Sequence, residues 1–77
     1  MRVTIEYCSQ WNYKPRASSL EAALAQAFSQ QKLDITLIPG SDGIFEVALN
    51  GSLLFSKKES GRFPEPSEII GLMQDNG

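Results

Sequence analysis

Cys8, the one cysteine of this 77-residue chain, has the position of the first cysteine in a dithiol redox motif. Residues 3–11 read VTIEYCSQW, an alternating segment that runs directly into the cysteine. In a Cys-x-x-Cys motif the second sulfur would stand at position 11, but this chain has Trp11 there. One sulfur can form a mixed disulfide with another molecule, but it cannot close a disulfide within the motif. The sequence therefore predicts at most monothiol chemistry, with Cys8 as the candidate redox thiol.

The residues that follow Cys8 and the basic residues of the chain supply candidates for binding. The loop after the cysteine offers four candidates for contact with a ligand or a partner protein: Ser9, Gln10, Trp11 and Tyr13. The two aromatic rings could form a lip for a peptide, or they could fold over the edge of the core, which is more common for large rings. Four basic residues are candidates for contact with an anionic ligand: Lys14, Arg16, Lys57 and Lys58. For the lysine pair, a solvated turn is the alternative interpretation.

Composition and charge argue against several classes of function. Nine acidic residues against seven basic ones give a net charge of −2, which disfavours non-specific nucleic-acid binding. Without histidine and without a second thiol, the chain is expected to have neither a structural zinc site nor a Ser-His-Asp triad. We expect residues 1–77 to form one domain. We find neither the apolar run of a signal peptide nor that of a membrane helix, and so expect a cytoplasmic protein without a membrane partner.

A strand before Cys8 and a helix after it must position the thiol. Residues 2–7 alternate between apolar and polar side chains, as in a half-buried strand, and residues 17–31 have helical spacing. A capping-box pattern would begin this helix at Ser18, whereas Pro15 at the first helical position would begin it a turn earlier. The difference matters because the helix macrodipole acts over about one turn. A helix that begins near Pro15 would favour the Cys8 thiolate more strongly.

Three further strands and a second helix follow. Period-two alternation returns over residues 33–37, 45–49 and 53–56, and Asn50-Gly51 indicates a tight hairpin between the last two strands. Pro66 suits the first position of a short final helix. The element order is β-α-β-β-β-α, and a right-handed crossover makes the first two strands parallel. We therefore expect an α+β fold of two layers, with a mixed four-stranded sheet and both helices on one face. We take 2-1-3-4 as the strand order of this sheet.

The alternation within the strands and the apolar stripe of the helix also predict which residues lie in the core. The residues expected in the core are Phe28, Ile35, Phe45, Val47 and Phe55. Those expected on the wetter face are Glu6, Asp34 and Glu46. With the strand order 2-1-3-4, Cys8, the loop at residues 39–43 and Lys57-Lys58 share one edge of the sheet. The lysines would be two strands from the thiol, about 10 Å away.

Several short motifs support a family resemblance by their order and spacing. They are YCSQ at 7–10, GIFEV at 43–47, NG at 50–51, SKK at 56–58 and GRFP at 61–64. With these motifs the chain resembles the selenoprotein W-like (Rdx) family of thioredoxin-like proteins. The resemblance implies a thioredoxin-like α/β sandwich and a Cys-x-x-Cys or Cys-x-x-selenocysteine motif after the first strand. It also implies a glutathione-linked redox role. Cys8 matches the first motif position, and Trp11 departs from the second.

Three functions follow from this sequence. The first is a monothiol redox protein without a bound cofactor. Glutathione is the one co-substrate expected, and it resolves a mixed disulfide at Cys8. The second is a binding module that kept the fold, lost dithiol chemistry and meets a protein partner at the Cys8 loop. The third is a stress-response protein with an oxidisable sensor thiol. If Cys8 is instead a buried, inert side chain, the binding module is the better account.

Overall fold

The computed structural model describes residues 1–76, with only the backbone of the last of these. Within that range the chain forms four strands and three helices in the order β1-α1-β2-β3-β4-α2-α3. The strands are β1 Arg2–Cys8, β2 Asp34–Gly40, β3 Phe45–Leu49 and β4 Ser52–Ser56. The helices are α1 Lys14–Ala27, α2 Lys57–Ser60 and α3 Pro66–Asn76.

The strands form one mixed sheet in the order β2-β1-β3-β4, as expected. β1 pairs in parallel with β2 and antiparallel with β3, and β3 pairs antiparallel with β4. Asn50 and Gly51 both have positive φ, 51° and 87°, which is the backbone that a two-residue hairpin of this kind requires. The register places Tyr7 opposite Phe45, so the C-terminal end of β1 lies beside the start of β3.

The two longer helices cover one face of the sheet and share its core, which confirms the predicted layering. Leu20 and Leu24 of α1 and Ile69 and Met73 of α3 join one cluster with the buried strand residues. Of the predicted core residues, four are buried, namely Phe28, Phe45, Val47 and Phe55. Ile35 is only partly buried, because β2 is an edge strand with one neighbour. On the opposite face Asp34 is exposed, and Glu6 and Glu46 are half-buried.

β4 departs from simple alternation. The predicted parity places Leu53 and Phe55 on the same face, but a β-bulge between Val47 and Ala48 shifts the pairing. Val47 pairs with Phe55 and Ala48 pairs with Leu53, so the intervening residue, Leu54, has no partner opposite it. Leu54 packs against the core, and Leu53 is 52 % exposed.

The helices differ from the expectation at their ends. α1 begins at Lys14 with Pro15 in its first turn, so the earlier of the two predicted starts is right and the start at Ser18 is wrong. It ends at Ala27, before the predicted limit of residue 31, because the chain turns at Phe28. The one-turn helix α2 was not predicted, since four residues are too few to show a period. It ends at Ser60 and is capped by Gly61, whose φ of 76° is left-handed.

An ion pair fixes the segment before α3. Arg62 donates to both carboxylate oxygens of Glu68, at 2.9 and 2.8 Å, and to the carbonyl oxygen of Phe63 at 3.2 Å. The same carboxylate accepts a hydrogen bond from the backbone N–H of Glu65, the residue before α3, at 3.4 Å. This backward contact is one half of a capping box. The hydrogen bond from Arg62 lowers the pKa of Glu68 below its ordinary value.

We expect Phe45→Ala to lower the free energy of unfolding by about 3–5 kcal/mol, because the ring is 1 % exposed and its removal leaves a cavity in the core. Leu53→Ala is the matched control on the neighbouring strand, and it should cost less than about 1 kcal/mol because its side chain is largely exposed. Urea unfolding followed by circular dichroism measures both. Equal losses for the two variants would contradict the observed placement of the core.

The Arg62–Glu68 pair should stabilise the fold only above acidic pH. Because pairing lowers the folded-state pKa of Glu68, its contribution is present above the unfolded-state pKa and is lost as pH falls through the lowered value. Glu68→Gln should therefore lower Tm at about pH 7 and have a smaller effect at about pH 3. Glu59→Gln removes one exposed charge outside the pair and serves as the control. An equal Tm loss for Glu68→Gln at both pH values would contradict this assignment.

Candidate functional site

Cys8 is the last residue of β1, and its side chain is fully buried, with 0 % exposed. Its backbone N–H donates to the carbonyl oxygen of Ile44 at 2.8 Å. Its carbonyl oxygen accepts a hydrogen bond from the N–H of Tyr13, directly before α1, at 3.4 Å. The backbone of the cysteine is thus held between the β2–β3 loop on one side and the start of α1 on the other.

The motif loop, which we define as residues 9–12, connects Cys8 to α1 along the surface. Ser9 donates twice to the carbonyl oxygen of Gly40, from its N–H at 3.2 Å and from its hydroxyl at 3.4 Å. Asn12 has a left-handed φ of 59°, a conformation that asparagine adopts more readily than most residues. All four residues are exposed, and Trp11 is 59 % exposed. The loop is therefore tied to the sheet mainly at its first residue.

Trp11 lies against the β2–β3 loop. A Cβ added to Gly43 would lie 2.5 Å from Cζ3 of the Trp11 ring, which is closer than two non-bonded carbon atoms can approach. Gly43 also has a φ of 73°, so the position requires glycine for the backbone as well as for the ring. At the second motif position the chain thus has an aromatic ring packed on glycine where a second sulfur would otherwise lie.

Four aromatic rings connect the motif loop with the core. Trp11 contacts Tyr13 edge to face with centroids 6.1 Å apart, and Tyr13 contacts Phe63 at 4.7 Å. Phe63 in turn contacts the buried ring of Phe45 at 5.2 Å. The motif loop is therefore linked to the segment before α3. Phe63 is not among the site residues predicted from the sequence, although it stands in the GRFP motif. Neither the motif nor the spacing of apolar residues indicates that its ring lies beside Tyr13.

Two of the four predicted basic residues lie over these rings. The guanidinium of Arg16 is 4.2 Å from the centroid of Phe63. Nζ of Lys57 is 5.3 Å from the same centroid and 5.8 Å from that of Tyr13. Lys14 and Lys58 are exposed. The chain thus brings Lys57, directly after β4, within cation–π distance of two rings that follow the motif loop.

A groove of about 590 Å³ opens at the predicted edge of the sheet. It is lined by Glu6, Trp11, Gly40, Ser41, Asp42, Gly43, Ile44, Phe45, Glu46, Lys57 and Lys58. Its volume falls in the range of about 300–1,000 Å³ that is typical of ligand sites. The lysine pair, the β2–β3 loop and Trp11 therefore do meet in one place. The other predicted binding residues do not line it, namely Ser9, Gln10, Tyr13, Lys14 and Arg16, and neither does Cys8.

The described residues, 1–76, contain no group of three or more His, Cys, Asp or Glu side chains placed to hold a metal ion. None of the helices in that part of the chain is long and apolar enough to cross a membrane.

Comparison with known proteins gives relatives in curated sequences and in solved structures. The chain is 31 % identical to migration and invasion enhancer 1 of Bos taurus and 29 % identical to that of Mus musculus, over 70 residues each. These alignments cover 91 % of this chain and 59 % of each relative, so the chain spans less than two thirds of their length.

Two crystal structures are similar over nearly their whole length. A selenoprotein W-related protein from Vibrio cholerae has a TM-score of 0.91 at 31 % identity, covering 96 % of this chain and 92 % of that one. A protein from Bordetella parapertussis has a TM-score of 0.92 at 30 % identity, covering 99 % and 96 %. The chain matches the Rdx family over residues 2–75. It therefore belongs to the Rdx family and has the thioredoxin-like fold of its selenoprotein W-related members.

Proposed function

We propose that this protein is a redox-related thiol protein whose chemistry is one mixed disulfide at Cys8, with glutathione as the exchanging thiol. The observation that carries the proposal is the position of Cys8 at the end of β1, between the start of α1 and the loop that lines the groove. Membership of the Rdx family supports a redox-related role. Trp11 at the second motif position limits the chemistry to a single sulfur.

The proposed exchange has two steps. The Cys8 thiolate attacks the glutathione sulfur of a mixed disulfide between glutathione and a substrate thiol, that S–S bond breaks, and the substrate leaves as its thiolate. Reduced glutathione then attacks the mixed disulfide at Cys8, which releases Cys8 as thiolate and forms oxidised glutathione. The second step needs a pool of reduced glutathione, so the proposal implies a reducing compartment such as the cytoplasm.

Access to Cys8 requires a local opening of the structure, because the side chain is fully buried. The hydrogen bonds of Ser9 to Gly40 are 3.2 and 3.4 Å long, and that from Tyr13 to Cys8 is 3.4 Å. Exposed segments held by a few long hydrogen bonds open locally at a cost well below that of global unfolding. We therefore propose that residues 9–12 swing aside and expose the thiol to the adjacent groove.

The groove offers contacts that suit the two carboxylates and the ammonium group of glutathione. Lys57 and Lys58 line it together with the acidic residues Glu6, Asp42 and Glu46. Opposite charges placed in this way favour a ligand that carries both signs. Lys14 and Arg16 lie outside the groove and are proposed only as part of the basic surroundings of the site.

The second candidate function is a non-catalytic binding module for a protein partner at the motif loop. The observation that favours it is the contrast between Cys8, which is fully buried, and Trp11, which is 59 % exposed. An exposed tryptophan is a frequent anchor in protein interfaces. The two candidates differ in one measurable property, which is whether Cys8 reacts while the protein is folded.

Incubation of the folded protein with oxidised glutathione should attach one glutathione at Cys8, as measured by intact-mass spectrometry. Cys8→Ser should gain none. Trp11→Ala, which removes the ring from the motif loop, should accelerate the modification, whereas Trp11→Phe should change it less. A Cys8 that is modified only after denaturation would overturn the proposed exchange and leave the binding module as the function.

Trp11→Cys should restore a dithiol motif. With two sulfurs, treatment with oxidised glutathione should give an internal disulfide with a mass loss of two hydrogens in place of a stable adduct. The bond requires the two Cα atoms to lie about 4.4–6.8 Å apart, which the motif loop must allow. Ser9→Cys places a second sulfur next to Cys8 and is the control that should retain the adduct. A persistent adduct on the Trp11→Cys variant would show that the loop geometry no longer suits a dithiol.

A further inference from the structure

A second cleft lies between the helices and the sheet, and it shares Phe45 with the groove described above. It has a volume of about 290 Å³ and runs between the start of α1 and the segment before α3. It is lined by Pro15, Arg16, Ser19, Leu20, Phe45, Phe63, Pro64, Glu65 and Pro66. Six of these nine residues are apolar, and the volume suits one or two side chains better than a whole cofactor, for which pockets of about 300–1,000 Å³ are usual.

The cations at this cleft have no acidic partner within the protein. Arg16 lines the cleft over the ring of Phe63, and Lys57 lies over the same ring. Between residues 1 and 76 the one ion pair joins Arg62 to Glu68, so neither Arg16 nor Lys57 is paired with a carboxylate. The first turn of α1 also contains no acidic residue. A chain with a net charge of −2 therefore presents a local positive surplus beside an apolar cleft.

The wall of the cleft is held in place before any ligand arrives. Arg62 donates to the carbonyl oxygen of Phe63, and Glu68 accepts from the N–H of Glu65, which fixes the backbone of two lining residues. The ring of Phe63 is further fixed between Tyr13 and Phe45. A preformed cleft loses little conformational entropy on binding, which favours its use as a docking site.

We propose that this cleft docks an acidic peptide segment of a partner protein. An apolar side chain of the partner enters between the rings and Leu20, and flanking carboxylates meet Arg16 and Lys57. Charge complementarity selects an acidic partner, because Arg16 in the cleft and Lys57 beside it are unpaired and Glu65 is the single acidic residue that lines it. A nucleic acid fits less well, since its binding relies on a basic surplus of the whole surface, which this chain lacks. The docking site does not include Cys8, although Lys57 and Phe45 also line the groove of the proposed thiol exchange, so the two proposals are separated by their dependence on the thiol.

The probe is an acetylated hexapeptide with two central leucines and two aspartates on each side. Titration into the isotope-labelled protein should shift the backbone amides of Arg16, Ser19, Leu20 and Phe63 in a saturable way. Arg16→Gln should weaken binding by about fivefold or more, as expected for the loss of one interfacial charge contact. Arg2→Gln removes the same charge from β1 and should leave the affinity unchanged. Ser19→Phe, which fills the cleft without changing charge, should abolish binding.

Two further peptides and one variant make the result decisive. The same hexapeptide with lysines in place of aspartates, or with serines in place of leucines, should cause no saturable shifts at the cleft. Cys8→Ser should bind the acidic peptide as the wild type does, which separates this proposal from the thiol exchange. Equal binding of the lysine peptide would overturn the proposal. So would saturable binding of phosphatidylserine vesicles or single-stranded DNA by a protein that does not bind the acidic peptide.

Discussion

β1 pairs with a strand on each side, and this double pairing fixes where Cys8 lies. The parallel partner β2 brings Gly40 beside the end of β1, and the antiparallel partner β3 brings the residue before it, Ile44, to the N–H of Cys8. The crossover helix α1 then starts at the same edge, with Tyr13 bonded to the carbonyl of Cys8. The backbone of Cys8 is thus held on one side by the β2–β3 loop and on the other by Tyr13, and its side chain is fully buried.

The replacement of a second sulfur by tryptophan changes what the motif loop does. A cysteine at position 11 would serve chemistry, whereas Trp11 packs on Gly43 and begins a chain of rings through Tyr13 and Phe63 to Phe45. The loop is in this way coupled to the segment before α3 by packing. A single remaining thiol can exchange only with a sulfur from another molecule. The reactivity of the site therefore depends on whether that molecule can reach Cys8.

Much of this fold follows from local patterns in the sequence. Alternation within β1 and β3 is strict, and the Asn50-Gly51 turn fixes the hairpin, so these strands and the pairing of β3 with β4 could be predicted. No local pattern shows that β1 lies beside β3, so the order 2-1-3-4 was an assumption that the structure confirms. The bulge in β4 could not be predicted, because Leu53 and Leu54 are both apolar and parity does not show which of them is displaced. Alternation would place Cys8 on the face opposite Tyr7, the wetter one, so its complete burial depends on neighbours that no local pattern identifies. The position of Phe63 could not be predicted either, because its ring contacts residues from separate parts of the chain.

The central claim is that Cys8 becomes accessible by local opening of residues 9–12 while the rest of the fold stays intact. The most direct test is the rate of Cys8 alkylation at increasing urea concentrations below the unfolding transition. Local opening exposes little surface, so the account predicts a rate that is nearly independent of urea in this range. If the logarithm of the alkylation rate instead rises with urea as steeply as the equilibrium constant of global unfolding does, the thiol reacts only in unfolded molecules. That result would contradict the claim.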